Sequence, residues 1–217
     1  MEVNMFVGER MSHPVISVSP ETPIHDALVM FKKEHIRRAP VMKDGKLVGL
    51  VTETDLLNAS PSSVTTLSIW EMNYLISKVK IKDVMSRNVI TVDSDTPIEE
   101  AARIMADKKI GGVPVVHDGK VIGIITETDL FKVFLELMGA RQKALRVTAT
   151  ITDKPGQLEK LTKTIAQHGG NFVSFGQFSG PDANTKLVTF KVEGIKKNAI
   201  KQILEPVIEK FWDIRLS

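Results

Sequence analysis

Apolar residues return at helical spacing early in the chain. Ile24, Ala27, Leu28 and Phe31 fall at i, i+3, i+4 and i+7, one face of an amphipathic helix. Ile98, Ala101, Ala102 and Met105 repeat that face. A short β-branched run precedes each helix, at 15–18 and at 89–92, and predicts a strand. Thr22 and Thr96 stand where N-caps stand, with Pro23 and Pro97 at the first helical position. Glu99 is spaced to complete a capping box with Thr96. Pro40-Val41-Met42 and Pro114-Val115-Val116 open further strands, Asp44-Gly45 and Asp118-Gly119 make tight hairpin turns, and 47–52 and 121–126 run back. A further helix begins near Asp55 and again near Asp129.

The two stretches are one pattern written twice. Met11-Ser12-His13-Pro14-Val15-Ile16 recurs as Met85-Ser86-Arg87-Asn88-Val89-Ile90, and Thr22-Pro23-Ile24 as Thr96-Pro97-Ile98. Gly49-Leu50-Val51-Thr52-Glu53-Thr54-Asp55-Leu56 recurs as Gly123-Ile124-Ile125-Thr126-Glu127-Thr128-Asp129-Leu130. The offset stays at 74 positions, Met11 to Met85, with no gap through Leu56. Two copies are too few for a solenoid and imply a pseudo-two-fold pair of β-α-β-β-α units. Ser60-Pro61-Ser62-Ser63 breaks the pattern, and a connecting helix over 64–78 is predicted to pack Trp70 inward.

After a linker at 139–144 the period changes. Residues 146–151 alternate as a strand, Asp153-Lys154-Pro155-Gly156 turns, and a helix follows over 157–167 with Leu158, Leu161 and Ile165 inward. Strands at 172–178 and 186–192 flank a Ser179-Gly180-Pro181-Asp182 turn. A helix over 197–210, interrupted near Pro206, and a strand over 211–216 complete a β-α-β-β-α-β order, which is ferredoxin-like. The fold class is therefore α+β throughout.

Composition narrows the function. The 217 residues hold no cysteine, which excludes disulfides, thiolate metal sites and cysteine nucleophiles and fits a cytoplasmic setting. No apolar run is long enough for a membrane span, and Met1-Glu2-Val3-Asn4 shows no secretory pattern. Residues 1–145 carry 18 Lys+Arg against 19 Asp+Glu, and residues 146–217 carry 11 against 7. The basic residues of the second segment are scattered and not interleaved with aromatics, so they read as solvated surface rather than a nucleic-acid footprint. The five histidines form no His-Glu-x-x-His motif, and neither a Gly-x-Ser-x-Gly elbow nor a Walker loop is present. A binding protein is expected, not an enzyme; a constitutive scaffold with vestigial sites is the alternative.

The repeated Gly-x-x-Thr-x-Thr-Asp segment carries the candidate chemistry. Thr52, Thr54, Thr126 and Thr128 offer hydroxyls, and Asp55 and Asp129 offer carboxylates able to grip neighbouring sugar hydroxyls. A strand-to-helix junction adds free amides suited to phosphate. Helix capping explains the Thr and Asp without any ligand. The copies differ at Ile36-Arg37-Arg38 against Ile110-Gly111-Gly112, so two sites built on them would be unequal. Arg37 and Arg38 are either phosphate readers or plain surface residues.

The repeat, its Gly49–Asp55 and Gly123–Asp129 signature and its Asp-Gly hairpins resemble the CBS domain, which normally occurs as a tandem pair, here over 5–61 and 79–138. That resemblance implies an adenine nucleotide such as AMP or ATP, with Asp55 and Asp129 on ribose hydroxyls and Thr52, Thr54, Thr126 and Thr128 facing ribose or phosphate. It also implies Thr22 and Thr96 beside the purine, Ile36 and Ile110 packed on the ring, and Arg37 and Arg38 at phosphate. Residues 145–217, with Asp153-x-Pro155-Gly156-x-Leu158 after the first strand, resemble an ACT domain. This implies an amino-acid ligand near Asp153, Gly156 and Asn171. A CBS pair followed by an ACT domain is similar to the AcuB-like proteins of acetoin utilisation. A ligand-sensing regulatory homodimer or larger assembly acting on some further protein is what these resemblances imply, with neither nucleic acid nor membrane as partner and no metal or cofactor.

Overall fold

The computed structural model describes residues 5–59 and 78–217, and the predicted helix over 64–78 with Trp70 lies outside them. Contacts divide the chain after Leu130 into two compact units. In the first, α1 (Val7–Arg10), α2 (Ile24–Lys33), β1 (Arg38–Lys43), β2 (Lys46–Thr52) and α3 (Glu53–Asn58) come from the first copy. The second copy supplies α4 (Ile81–Val84), β3 (Val92–Asp93), α5 (Ile98–Lys108), β4 (Gly112–His117), β5 (Lys120–Thr126) and the start of α6 (Glu127–Leu137).

Each hairpin forms for the reason its turn residues give. Asp44 and Gly45 sit at φ 50° and 74°, and Asp118 and Gly119 at 47° and 73°, so both central residues of each turn are left-handed. Strands β1 and β2 pair antiparallel, as do β4 and β5, and each hairpin carries its irregularity at the same place, Val41/Met42 and Val115/Val116. The helix faces are as expected: Ile24, Ala27 and Phe31, and Ile98, Ala101 and Met105, are buried.

Two local expectations give way. The strands at 15–18 and 89–92 shrink to a single bridge, Val18 with Val41, and to β3, Val92 with Val115. Residues 13–17 are strung between two partners, Ser12 pairing with Ile124 of the other copy and Val18 with its own β1, so no ladder can run between. Thr22 and Thr96 are not the N-caps. Pro23 and Pro97 hold that position without a side-chain bond. The first helical amides are satisfied from the other copy instead: Ile24 N donates to Val79 O at 3.1 Å, and Ile98 N to Met5 O at 3.0 Å. Thr96 Oγ1 turns back to accept from Asp93 N at 3.1 Å, so the expected box with Glu99 is absent.

These bonds belong to a reciprocal exchange. Each copy's leading segment packs on the other copy. Val7 N donates to Thr96 O and Gly8 N to Ser94 O, while Ile81 N donates to Thr22 O and Lys82 N to Pro20 O. Ile81 joins the core of Ile24, Phe31, Val41, Val51 and Leu56 in the first copy. Ser12 pairs with Ile124 and Ser86 with Leu50 through two backbone bonds each. Gly49 and Gly123 are the positions this contact crosses. A Cβ on Gly49 would lie 2.5 Å from Met85 Sδ and 3.1 Å from Ser86 O, and one on Gly123 would overlap Met11 Sδ and lie 3.0 Å from Ser12 O. The signature glycines admit the other copy's Met-Ser backbone.

Glu21 ties the same exchange electrostatically, with Lys80 Nζ at 2.6 Å and Lys82 Nζ at 2.8 Å. The bonds from Lys80 and Lys82 pull its carboxyl down to about 2.

The second unit, Phe131–Ser217, holds the rest of α6, then β6 (Leu145–Thr152), α7 (Gln157–Gln167), β7 (Asn171–Ser179), β8 (Thr185–Glu193), α8 (Lys197–Leu204) and β9 (Lys210–Leu216). Its antiparallel sheet runs β7-β8-β6-β9, the ferredoxin-like order. Val147, Ala149, Ile151, Val188, Phe190 and Val192 bury one face with Leu161, Ile165, Ile200 and Leu204. The helix expected to reach 210 stops at Leu204, because Pro206 has no amide with which to continue the ladder, although Glu205 before it keeps helical backbone. On the other face, Lys191 is buried and spends its ammonium on three carbonyls, Gly139 and Gln142 at 3.0 Å and Ser217 at 3.2 Å. That staple fixes the 139–142 connection against the sheet.

Two outcomes check the exchange. Gly49→Ala or Gly123→Ala should each lower the unfolding free energy by about 1–3 kcal/mol, the usual cost of overpacking. Urea denaturation measures this, and unchanged midpoints in both would contradict a close contact. Glu21→Gln should lower stability at pH 7. Because the folded carboxyl titrates below its ordinary 4.5, the wild-type advantage is complete above that value and fades as pH falls toward 2. Denaturant midpoints of both proteins from pH 7 to pH 3 should converge at the acid end; a gap that widens with acid would contradict the Glu21 assignment.

Candidate functional site

Both copies build one device where the returning strand meets a helix. Thr52 N and Oγ1 donate to Asp55 Oδ2 at 2.8 and 2.7 Å, and Asp55 N donates to Thr52 Oγ1 at 3.2 Å. This is a capping box, with Thr52 as N-cap of α3. Thr126 N and Oγ1 donate likewise to Asp129 Oδ2 at 3.1 and 2.7 Å. Capping therefore operates in both copies, and it uses one carboxylate oxygen. Asp55 Oδ1 takes no bond among the described residues.

A cleft of about 430 Å³ opens at Asp55. The first copy contributes Thr52, Glu53, Thr54, Asp55, Leu50, Arg37 and Arg38 to its lining. The second copy faces them with Ser86, Asn88, Val89 and Ile90 and with the segment 109–112. The volume lies within the ordinary range for small-ligand pockets, ~300–1,000 Å³. Its chemistry is divided. Leu50, Val89, Ile90 and Ile110 are apolar, Asp55 and the threonines can bond hydroxyls, and Arg37, Arg38 and Lys109 outnumber the carboxylates of Glu53 and Asp55.

Arg38 lies across the pseudo-two-fold. Its guanidinium atoms fall 2.5–2.9 Å from where side chains on Gly111 and Gly112 would begin, and Glu127 Oε2 is 2.9 Å from the same point at Gly111. The Arg-Arg against Gly-Gly difference is thus one arrangement: the second copy lacks side chains where Arg38 of the first copy lies. Burial pulls the Arg38 guanidinium down, Glu127 raises it, and Arg37 adds to the lowering. It stays charged at neutral pH.

The expected residues sort as follows. Arg37, Arg38, Thr52, Thr54, Asp55 and Ile110 line one cleft. Thr22 and Thr96 do not line it. They precede α2 and α5, whereas Arg37, Arg38 and Lys109 follow those helices, about 15 Å away by helical rise. Ile36 packs on the first copy's core. Asp129 is only 4% exposed, and Ser12 Oγ stands 3.5 Å from its Oδ1. Thr126 is held in the Asp129 cap, and Thr128, the counterpart of Thr54, is exposed in the first turn of α6.

Asp153, Gly156 and Asn171 do not converge within the second unit. Asp153 pairs with Lys186 at 3.1 Å beside the Thr152–Thr185 end of the sheet. Asn171 pairs with Glu193 at the opposite end, about 27 Å along the strands. Gly156 sits at φ +82° as N-cap of α7 with open space around it, so its glycine serves the turn.

Glu53, Ser86, Asn88, Val89, Ile90 and Lys109 were not foreseen as a lining. The available signal was the repeat itself. Lys109 is the counterpart of His35, and both take left-handed backbone after their helices, at φ 54° and 53°. A site assembled across two copies is invisible when each copy is read alone.

Two repeats, each a helix, a β-hairpin and a second helix, exchange leading segments and share a cleft, which makes the first unit a tandem pair. The CBS-domain pattern matches residues 7–62 and 81–136, more than half of the chain, and the protein belongs to the CBS-domain family. Among curated proteins it is 33% identical over 155 residues to the uncharacterized protein MJ1426 of Methanocaldococcus jannaschii, covering 60% of this chain and 92% of that one. It is 30% identical over 142 residues to the uncharacterized protein MJ1225 of the same organism, where the match takes in 62% of this chain and only about half (49%) of the relative. An L-aspartate semialdehyde sulfurtransferase from that organism matches at 32% over 130 residues, 59% of this chain but 23% of the enzyme.

Solved structures agree on the pair. The CBS domain pair of MJ0100 in complex with 5′-methylthioadenosine and S-adenosyl-L-methionine is 32% identical, with 63% of this chain and 98% of that one covered at a TM-score of 0.50. CBSX2 in complex with AMP is 30% identical, covering 64% and 100% at 0.50. A Vibrio cholerae protein described as an acetoin utilization protein (AcuB) is 26% identical, covering 64% and 96% at 0.53. Among the described residues no helix is long and apolar enough to cross a membrane.

Proposed function

We propose that this protein is a non-catalytic sensor whose CBS pair binds a phosphorylated adenosine in the Asp55 cleft. The observation that carries the reading is the convergence of three kinds of group in one 430 Å³ space. Asp55 Oδ1 accepts from ribose hydroxyls while Oδ2 remains in the capping box. Val89, Ile90 and Ile110 give a purine an apolar surface. Arg37, Arg38 and Lys109 supply positive charge for phosphate, and the planar guanidinium binds it bidentately. The six-residue α3 adds little dipole, so the side chains carry the charge. Likeness to CBS pairs solved with AMP, 5′-methylthioadenosine and S-adenosyl-L-methionine supports an adenosine-type ligand. The excess of cations in the cleft favours a phosphate-bearing member of that class. In this reading the chain comprises CBS repeats at 5–61 and 79–138 and an ACT-like unit at 145–217. The β7-β8-β6-β9 strand order supports the last assignment.

Asp55→Ala should weaken AMP binding by about 1–3 kcal/mol, the loss of charge-assisted hydrogen bonds. Isothermal titration gives the value, and wild-type affinity in a folded variant would leave Asp55 as a cap only. Arg37→Ala combined with Arg38→Ala should erase most of the preference for AMP and ATP over adenosine and flatten the salt dependence. Adenosine affinity per site should change little. A variant that keeps the wild-type ranking and salt response would show that these arginines do not read phosphate.

A further inference from the structure

The two halves of the CBS pair present their aspartates differently. Asp55 is half-buried at an open cleft, with Oδ1 accepting nothing among the described residues. Asp129 is 4% exposed, with Oδ2 held by Thr126 and Ser12 Oγ beside Oδ1. Ser86, the counterpart of Ser12, lines the open cleft, and no bond joins it to Asp55 among the described residues.

The copies also differ at Arg38. Its counterpart is Gly112, so one side of the pseudo-two-fold has a guanidinium and the other has none. The guanidinium stands over Gly111 and Gly112 toward Glu127. Glu127 is the counterpart of Glu53, which lines the open cleft. The arginine therefore reaches the group that would line the second site. The 430 Å³ space at Asp55 has Arg38 in its own wall and is faced from the second copy by Gly111 and Gly112, which bring no side chain.

Resting on the nucleotide reading above, we infer that each chain takes one nucleotide, at Asp55, and that Arg38 beside Glu127 fills the pseudo-equivalent place at Asp129. Arg38 then has two roles. It presents charge to the occupied cleft, and it sets the stoichiometry by occupying the other. The repeat would otherwise offer two like sites, and one Arg-for-Gly difference makes them unequal.

Isothermal titration of the full chain with AMP tests this. The wild type should saturate at one AMP per chain. Asp55→Asn should weaken binding at least ~10-fold, as loss of a charged acceptor does. Asp129→Asn should leave affinity within about 2-fold, since losing one buried acceptor there touches no ligand. Arg38→Gly, which writes the second copy's residue into the first, should raise the stoichiometry to two. Arg38→Ala should do the same and guards against a folding defect from glycine in β1. Two AMP per wild-type chain, equal losses from the two aspartate variants, or a stoichiometry that stays at one in both Arg38 variants would each overturn the inference. Absence of binding by AMP, ADP, ATP and adenosine to the folded wild type would overturn the nucleotide reading itself, a different result from any of these.

Discussion

Each copy of the repeat is completed by the other copy's leading segment. Ser12 pairs with Ile124 and Ser86 with Leu50, and the amides that open α2 and α5 are satisfied by Val79 and Met5. Buried helix ends require partners, and here the partner comes from across the pseudo-two-fold. Gly49 and Gly123 follow from that constraint, since any side chain there meets a methionine and a backbone carbonyl. So does the position of the cleft, which can form only where the exchange brings 86–90 and 109–112 of one copy against 52–55 of the other.

An exchange of this kind would make two equal sites if the copies were identical. Their hairpins, turns and bulges do coincide. What differs is the pair of residues entering the first hairpin strand, arginines in one copy and glycines in the other. Because the two strands lie near the symmetry axis, a side chain there affects both halves together. Removing a side chain on one side makes room, and adding one on the other consumes it. The Ser94–His117 contact at 3.1 Å and the Glu21 cluster occupy matching turns, yet they differ in charge, so the copies have diverged at the periphery as well.

Much of this was legible in the sequence because it is local. The Asp-Gly turns need left-handed backbone, the apolar helix faces have a fixed period, and Thr52 with Asp55 is spaced for a capping box. The C-terminal β-α-β-β-α-β order was equally plain, although the helix interrupted near Pro206 ends at Leu204 instead of resuming to 210, and Leu158, expected inward, is exposed. What escaped was non-local. Thr22 and Thr96 look like caps, but the helix amides are met by residues more than fifty positions away. Lys109 and Ile90 reach the cleft only through the exchange, and Asn171 is carried to the far end of its sheet from Asp153. That Gly49 and Gly123 admit Met85 and Met11 follows only once the two copies are set against each other.

The central claim is that ribose, base and phosphate are held together in the cleft between the copies at Asp55. A crystal structure of the full chain grown with AMP tests it most directly. The account predicts the ribose hydroxyls on Asp55 Oδ1, the purine against Ile90 and Ile110, the phosphate among Arg37, Arg38 and Lys109, and no nucleotide beside Asp129. A nucleotide seated at Asp129, or one in the second unit with the Asp55 cleft empty, would contradict it.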